Sequence, residues 1–143
     1  MFMGQYNHSI DAKGRVIVPA KFREGLGLRF VATKGNDCCL NIYTMEEWDK
    51  LVEKLNSLPT SNKIARMYVR KITANAAECE PDNNGRISIP QNLKEYANIT
   101  KDIISIGVND HVEIWDKDTW DSYNSNEVIS DEEMEAALAE FGI

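Results

Sequence analysis

Two short β-branched runs, Val16-Ile17-Val18 and Ile87-Ser88-Ile89, lie 71 residues apart, and each ends at a proline, Pro19 or Pro90. Runs of this kind predict strands, with the proline ending the hydrogen-bonded ladder. A short helix is expected after each proline: Ala20–Glu24 closed by Gly25, and Gln91–Ala97 closed by Asn98. Phe22 and Leu93 stand at matching places in these helices and predict core anchors. Further apolar runs, Phe30–Thr33 with Cys39–Tyr43 and Ile103–Gly107 with Val112–Trp115, flank turn residues and predict two hairpins. Thr44-Met45-Glu46-Glu47 is a capping box, and Met45, Trp48, Leu51, Val52 and Leu55 then fall on one helical face. A second helix is expected over Asn62–Lys71, capped by Ser61. A weaker one begins near Asp116, and Asn124-Ser125-Asn126 breaks it. Ser130-Asp131-Glu132-Glu133 caps a last helix carrying Met134, Leu138 and Phe141. So short a helix is below the ~12–15 residues at which isolated helices become marginal in water, so it docks on something or is disordered.

The residues before the two strands repeat as well. Asp11-Ala12-Lys13-Gly14-Arg15 matches Asp82-Asn83-Asn84-Gly85-Arg86, and Arg23 matches Lys94, all at the same offset. After a small insertion the echo continues, with Ile42-Tyr43 against Ile114-Trp115 and Trp48 against Trp120. A period this long marks two sub-domain units in tandem rather than a solenoid. Units of about 45 residues are marginal alone, so the pair is expected to share one core. The boundaries read as units at 5–47 and 76–119, a helical connector at 48–75, and an acidic helical segment at 120–143. The expected class is α+β.

Net charge of −7 is wrong in sign for a nucleic-acid binder, but the charge is segregated. Residues 1–35 carry +4, whereas 110–143 carry −10, with Lys117 the one base there. A basic face on an acidic chain is therefore permitted. The N-terminus has no basic n-region or apolar h-region, which predicts a cytoplasmic protein, nucleoid-associated if it binds DNA. Cys38, Cys39 and Cys79 lack CxxC spacing and are expected to be buried or half-buried thiols.

Asp-x-x-Gly-Arg has two compatible roles. Asp11 and Asp82 cap a turn, Gly14 and Gly85 supply its positive φ, and Arg15 and Arg86 emerge at its edge. A guanidinium there can grip phosphate oxygens or guanine edges with its planar fork. Lys13, Lys21 and Arg23 surround the first motif, while Asn84, Asn92 and Lys94 hold the matching places in the second. The candidate DNA contacts are thus Arg15, Lys13, Arg86, Lys21 and Arg23. The first unit is expected to carry more of the contact, and the second to act more as a structural partner. Lys63, Arg66 and Arg70 share one face of the connector helix. That face reads first as solvated, next as a contact for a neighbouring subunit's acidic C-terminal segment, and last as a DNA contact.

The opening Phe2-Met3-Gly4-Gln5-Tyr6-Asn7-His8-Ser9-Ile10-Asp11-Ala12-Lys13-Gly14-Arg15, followed by Pro19, Phe22 and Arg23, resembles the start of MraZ proteins. These are bacterial transcriptional regulators encoded at the head of the division and cell-wall gene cluster. The Asp82, Arg86, Pro90 block resembles the second half of that family's doubled Asp-x-x-x-Arg signature. The resemblance covers essentially the whole chain and is weakest beyond Asn124. It implies two SpoVT/AbrB-like units forming a pseudo-twofold, swapped-hairpin-type β-barrel with flanking helices. It also implies ring-shaped homo-oligomers that bind short G-rich direct repeats in double-stranded DNA upstream of the family's own operon, with no cofactor. Arg15 and Arg86 map onto the motif arginines.

Two other classes stand beside this reading. For an enzyme, His8 and His111 are the only histidines, and HExxH, CxxC, GxSxG and phosphate-cradling glycine patterns are absent. His8 and Cys79 are the one pair left open, without a third orienting group. A partner-binding antitoxin-like or scaffold protein of AbrB-type fold is the stronger rival. Such antitoxins usually pair one unit with a disordered tail, whereas this chain has two units in cis and a short acidic tail.

Overall fold

The computed structural model describes residues 1–125 and 127–143. Asn126, part of the expected helix breaker, lies outside the described residues. Among the described residues the strands are β1 (Gln5–Ser9), β2 (Arg15–Ile17), β3 (Phe30–Lys34), β4 (Leu40–Thr44), β5 (Ala77–Cys79), β6 (Arg86–Ser88), β7 (Asp102–Val108) and β8 (His111–Asp116). The helices are α1 (Ala20–Leu26), α2 (Met45–Asn56), α3 (Lys63–Ala74), α4 (Gln91–Tyr96), α5 (Lys117–Tyr123) and α6 (Asp131–Leu138), with a 3-10 turn at Ala139–Phe141. The class is α+β, as the sequence pattern predicts. Among the described residues, no helix is long and apolar enough to cross a membrane.

Six strands form an antiparallel sheet in the order β1-β7-β8-β4-β3-β5, and β2 pairs with β6 in a separate ribbon. The halves interleave. β1 pairs with β7, with His8 opposite Ile103, while β5 pairs with β3, with Cys79 opposite Phe30. β4 and β8 join the hairpins at the centre, Ile42 opposite Val112. Neither β1 nor β5 carries the apolar alternation that marks a strand. Gln5-Tyr6-Asn7-His8-Ser9 is almost wholly polar, and its pairing is supplied by the backbone of the other half. The chain before it is held too. Phe2 and Asn109 exchange backbone bonds of 2.7 and 2.9 Å, and Phe2 meets Phe22 edge-on at 6.1 Å.

One core serves both halves. Val16, Phe22, Phe30 and Leu40 pack with Ile87, Leu93, Ile103 and Ile114, all almost fully enclosed. Each such side chain contributes about 1.5–3 kcal/mol through burial. Phe22 and Leu93 are the anchors that their matching positions predict. A smaller cluster of Cys39, Ile104, Ile106 and Trp115 lies on the other face of the sheet, against Trp120. Side-chain bonds tie the helices to the β3–β4 hairpin: Thr33 Oγ1 donates to the Ile72 carbonyl at 2.7 Å, and Tyr96 donates from α4 to the Gly35 carbonyl at 2.6 Å.

Several boundaries differ from expectation. Helix α1 runs through Gly25 to Leu26, because Gly25 serves packing rather than termination: a β-carbon there would lie 2.6 Å from the Phe2 ring. Helix α3 is capped by Asn62, whose Oδ1 accepts from Ala65 N at 3.0 Å, instead of by Ser61, and it continues to Ala74. The caps at Thr44 and Ser130 form as predicted, accepting from Glu47 N and Glu133 N. Cys38 is exposed, unlike the buried Cys39 and Cys79.

Candidate nucleic-acid interface

Both motif loops adopt the same geometry. Asp11 Oδ1 accepts from the backbone N–H groups of Lys13 at 2.9 Å and Arg15 at 2.8 Å, and Oδ2 accepts from Arg15 Nε at 2.7 Å. In the second copy Asp82 Oδ1 accepts from Asn84 and Arg86, each at 2.9 Å, and Oδ2 accepts from Arg86 Nε at 2.9 Å. Gly14 and Gly85, at φ 77° and 75°, make the reversal that brings each arginine back to its aspartate. The backbone N–H of Arg15 holds the Asp11 carboxyl below its usual range, helped by the guanidinium and the Lys13 N–H. Asp82 is lowered in the same way, the Arg86 N–H being the largest cause.

The brace uses only Nε. Among the described residues, the terminal guanidinium nitrogens of Arg15 and Arg86 have no protein hydrogen-bond partner. Each fork is thus oriented without being consumed, the condition for bidentate recognition of a planar anion or base edge.

The two arginines share one surface. In the β2–β6 ribbon, Arg15 stands opposite Ser88 and Arg86 opposite Ile17. Val16 and Ile87, opposite each other, turn inward to the core. The outer face therefore carries Arg15, Ile17, Arg86 and Ser88, with the arginines on a diagonal of about 7–8 Å between Cα atoms.

The remaining cations do not fall as the linear sequence predicts. Arg23 reaches across to the other half and lies over Gly85; a β-carbon added there would overlap its Nη1. Lys21 and Arg23 line an open cleft with Asp82, Asn83, Asn84 and Gly85, together with Glu24 and Glu80. Lys94 makes the reciprocal crossing, its Nζ 3.0 Å from a β-carbon built on Gly14. The first loop is thus attended by Lys13, Arg15 and Lys94, and the second by Lys21, Arg23 and Arg86. The expected bias of basic side chains toward the first loop is not present, because α1 and α4 each deliver cations to the opposite loop. Lys94 joins the candidate contacts only through this crossing, although its match to Arg23 is visible in the repeat.

Other polar groups lie elsewhere. His8 Nε2 is 2.8 Å from Ser105 Oγ, and burial lowers its pKa. Cys79 lies on β5, where its thiol faces the Ala77 carbonyl at 3.7 Å, and no hydrogen bond joins it to His8 among the described residues. Burial pushes its thiol up to about 11. His111 lies between Asp110 and Glu113, at 2.7 and 2.9 Å, and Glu113 also accepts from Trp115 Nε1 at 3.0 Å. Burial works to lower the His111 pKa, but the two carboxylates raise it overall.

Fold and loops together define a tandemly repeated α+β protein that presents two aspartate-braced arginines on one β-ribbon. The chain belongs to the MraZ family: the model of that family, described as "MraZ protein, putative antitoxin-like", matches it twice, over residues 1–71 and 72–141. Similar proteins include the transcriptional regulators MraZ of Acetivibrio thermocellus and of Thermoanaerobacter sp. (strain X514), each 54% identical. Transcriptional regulator MraZ of Halothermothrix orenii is 50% identical. Each match covers 143 residues, the whole of both chains.

Proposed function

We propose that this chain is a DNA-binding transcriptional regulator that reads sequence through Arg15 and Arg86. The observation that carries this reading is the brace, in which each aspartate fixes its arginine through Nε and leaves the outer fork for a base edge or phosphate. A two-stranded ribbon fits the major groove, where guanine N7 and O6 match an arginine fork. Lys13, Lys94, Lys21 and Arg23 then serve as phosphate contacts that set position and affinity. The names of the full-length relatives support the regulatory role.

In this reading, units at 5–47 and 76–119 form a pseudo-twofold, swapped-hairpin barrel. The reciprocal exchange of β1 and β5 between the halves supports it. Residues 48–75 connect the units, and 120–143 form the acidic segment. The chain acts in the cytoplasm, at the nucleoid, as a ring-shaped homo-oligomer. Its operator is a set of short direct repeats upstream of the division and cell-wall gene cluster, which includes its own gene. Several copies on consecutive repeats bind with avidity that one loop pair lacks.

A gel-shift titration on the chain's own upstream DNA tests the assignment. Arg15→Ala and Arg86→Ala should each cost about 1–3 kcal/mol of binding if the arginine reads a base. Unchanged affinity in both variants defeats it. The family description as antitoxin-like favours a second reading, action through a protein partner. That reading predicts affinity for the DNA that barely changes with salt, whereas phosphate contacts make it fall steeply through counterion release.

A further inference from the structure

We propose that the uncovered face of α3 receives helix α6 of a second copy of this chain. Helix α3 meets the body of the protein on one side, through the buried Ile72 and the half-buried Ala65 and Val69. A second apolar stripe points away: Ile64, Met67 and Tyr68 are 78%, 59% and 39% exposed. These positions follow an i, i+3, i+4 spacing, which places them on one face of the helix. The helix holds Lys63, Arg66, Arg70 and Lys71 and no acid. Arg66 is engaged by the Thr60 carbonyl. Lys63 and Arg70 have no carboxylate partner among the described residues.

Helix α6 is the complement of this surface. It buries none of its residues and packs chiefly on the 3-10 turn that follows it. Met134, Phe141 and Ile143 are 50%, 70% and 86% exposed. Asp131, Glu132, Glu133, Glu135 and Glu140 surround them, and no Lys or Arg occurs after Lys117. A helix of this length lacks the cooperativity to persist alone in water, so it needs a partner surface. An apolar stripe edged with lysine and arginine supplies both apolar cover and opposite charge.

The partner is another copy because one chain carries both halves of the contact. A head-to-tail contact of this kind is heterologous, and repetition closes it into a ring when the rotation allows. The inference rests on the homo-oligomer part of the proposed function and names the surfaces that build it.

The test is sedimentation equilibrium of the full-length chain, without DNA. One variant carries Lys63→Glu with Arg70→Glu, and the other Asp131→Lys with Glu135→Lys. All four positions are exposed and outside the core, so the variants should keep the cooperative melting transition of the body and lose only the small helical signal of α6 when its contact is broken. Each variant alone should associate at least tenfold more weakly than wild type. An equimolar mixture should recover association, since contacts that alternate the two variants restore opposite charges at the substituted positions. Wild-type association in either variant overturns the inference, and so does a mixture that stays dissociated. A monomeric wild type defeats the homo-oligomer reading along with it. A wild-type multimer indifferent to both variants defeats only the α3–α6 assignment.

Discussion

Arg23 lies over Gly85, a residue of the other half of the chain, so closely that a β-carbon on the glycine would overlap its guanidinium. Lys94 and Gly14 repeat the relationship in reverse, at a looser 3.0 Å. Each motif loop therefore takes a cation from the opposite half, and the halves are coupled at the surface where DNA is proposed to bind.

This coupling predicts unequal effects of two similar substitutions. Alanine at either glycine is strained by the positive φ, at roughly 1–2 kcal/mol. Gly85→Ala must also displace Arg23, whereas Gly14→Ala needs only a small shift of a lysine end. Gly85→Ala should thus weaken DNA binding more, as a gel-shift titration will measure. Arg23→Ala and Lys94→Ala should each reduce the slope of log affinity against log salt by about 1, if each neutralises one phosphate.

The aspartate brace predicts an outcome opposite to that expected from net charge. Asp11→Asn and Asp82→Asn each remove a negative charge beside DNA, which by charge alone should tighten binding. Asparagine turns an N–H donor toward the Nε donor and releases the arginine, so binding should instead weaken several-fold. Fluorescence anisotropy on the upstream DNA decides the sign. Since both carboxyl pKa values are lowered, the brace is present above the usual value of 3.8 and is lost as pH falls through the lowered one.

The two histidines predict a stability maximum near pH 6.5. The folded-state pKa of His8 is lowered, so its contribution is complete above the unfolded value of 6.5 and is lost as pH falls toward the folded one. The folded-state pKa of His111 is raised, so its contribution is complete below 6.5 and is lost as pH rises through the folded value. In melting temperatures measured against pH, His111→Gln should flatten the alkaline side and His8→Asn the acid side.

The shared core predicts that damage to either half unfolds both. Phe22→Ala should cost about 3–5 kcal/mol, and Leu93→Ala about 2–5 kcal/mol. Each should lower the midpoint of one cooperative transition by about 2–4 °C per kcal/mol. Two separate transitions in either variant would contradict a single core.

Most of the element types were legible because their signals are local. The prolines at 19 and 90 mark strand ends, the capping boxes at Thr44 and Ser130 mark helix starts, and Phe22 and Leu93 mark the core. Helix ends were less legible where a glycine had two possible uses. Gly25 looked like a terminator, yet it makes room for the Phe2 ring. β1 and β5 were not legible, since Gln5–Ser9 and Ala77–Cys79 become strands only when β7 and β3 supply their hydrogen bonds. The motif half of the site, Asp11 with Arg15 and Asp82 with Arg86, could be read directly, because each brace closes within five residues.

By itself, the sequence determined that the chain is doubled, which turns carry an aspartate and an arginine, and which side chains enter the core. Tertiary structure decided which half pairs with which strand, and that Arg23 and Lys94 cross to the opposite loops. The physical reason is range. Turn geometry, capping and apolar periodicity are set by neighbours a few residues away. Strand partners and the reach of a long cationic side chain depend on residues that only folding brings together.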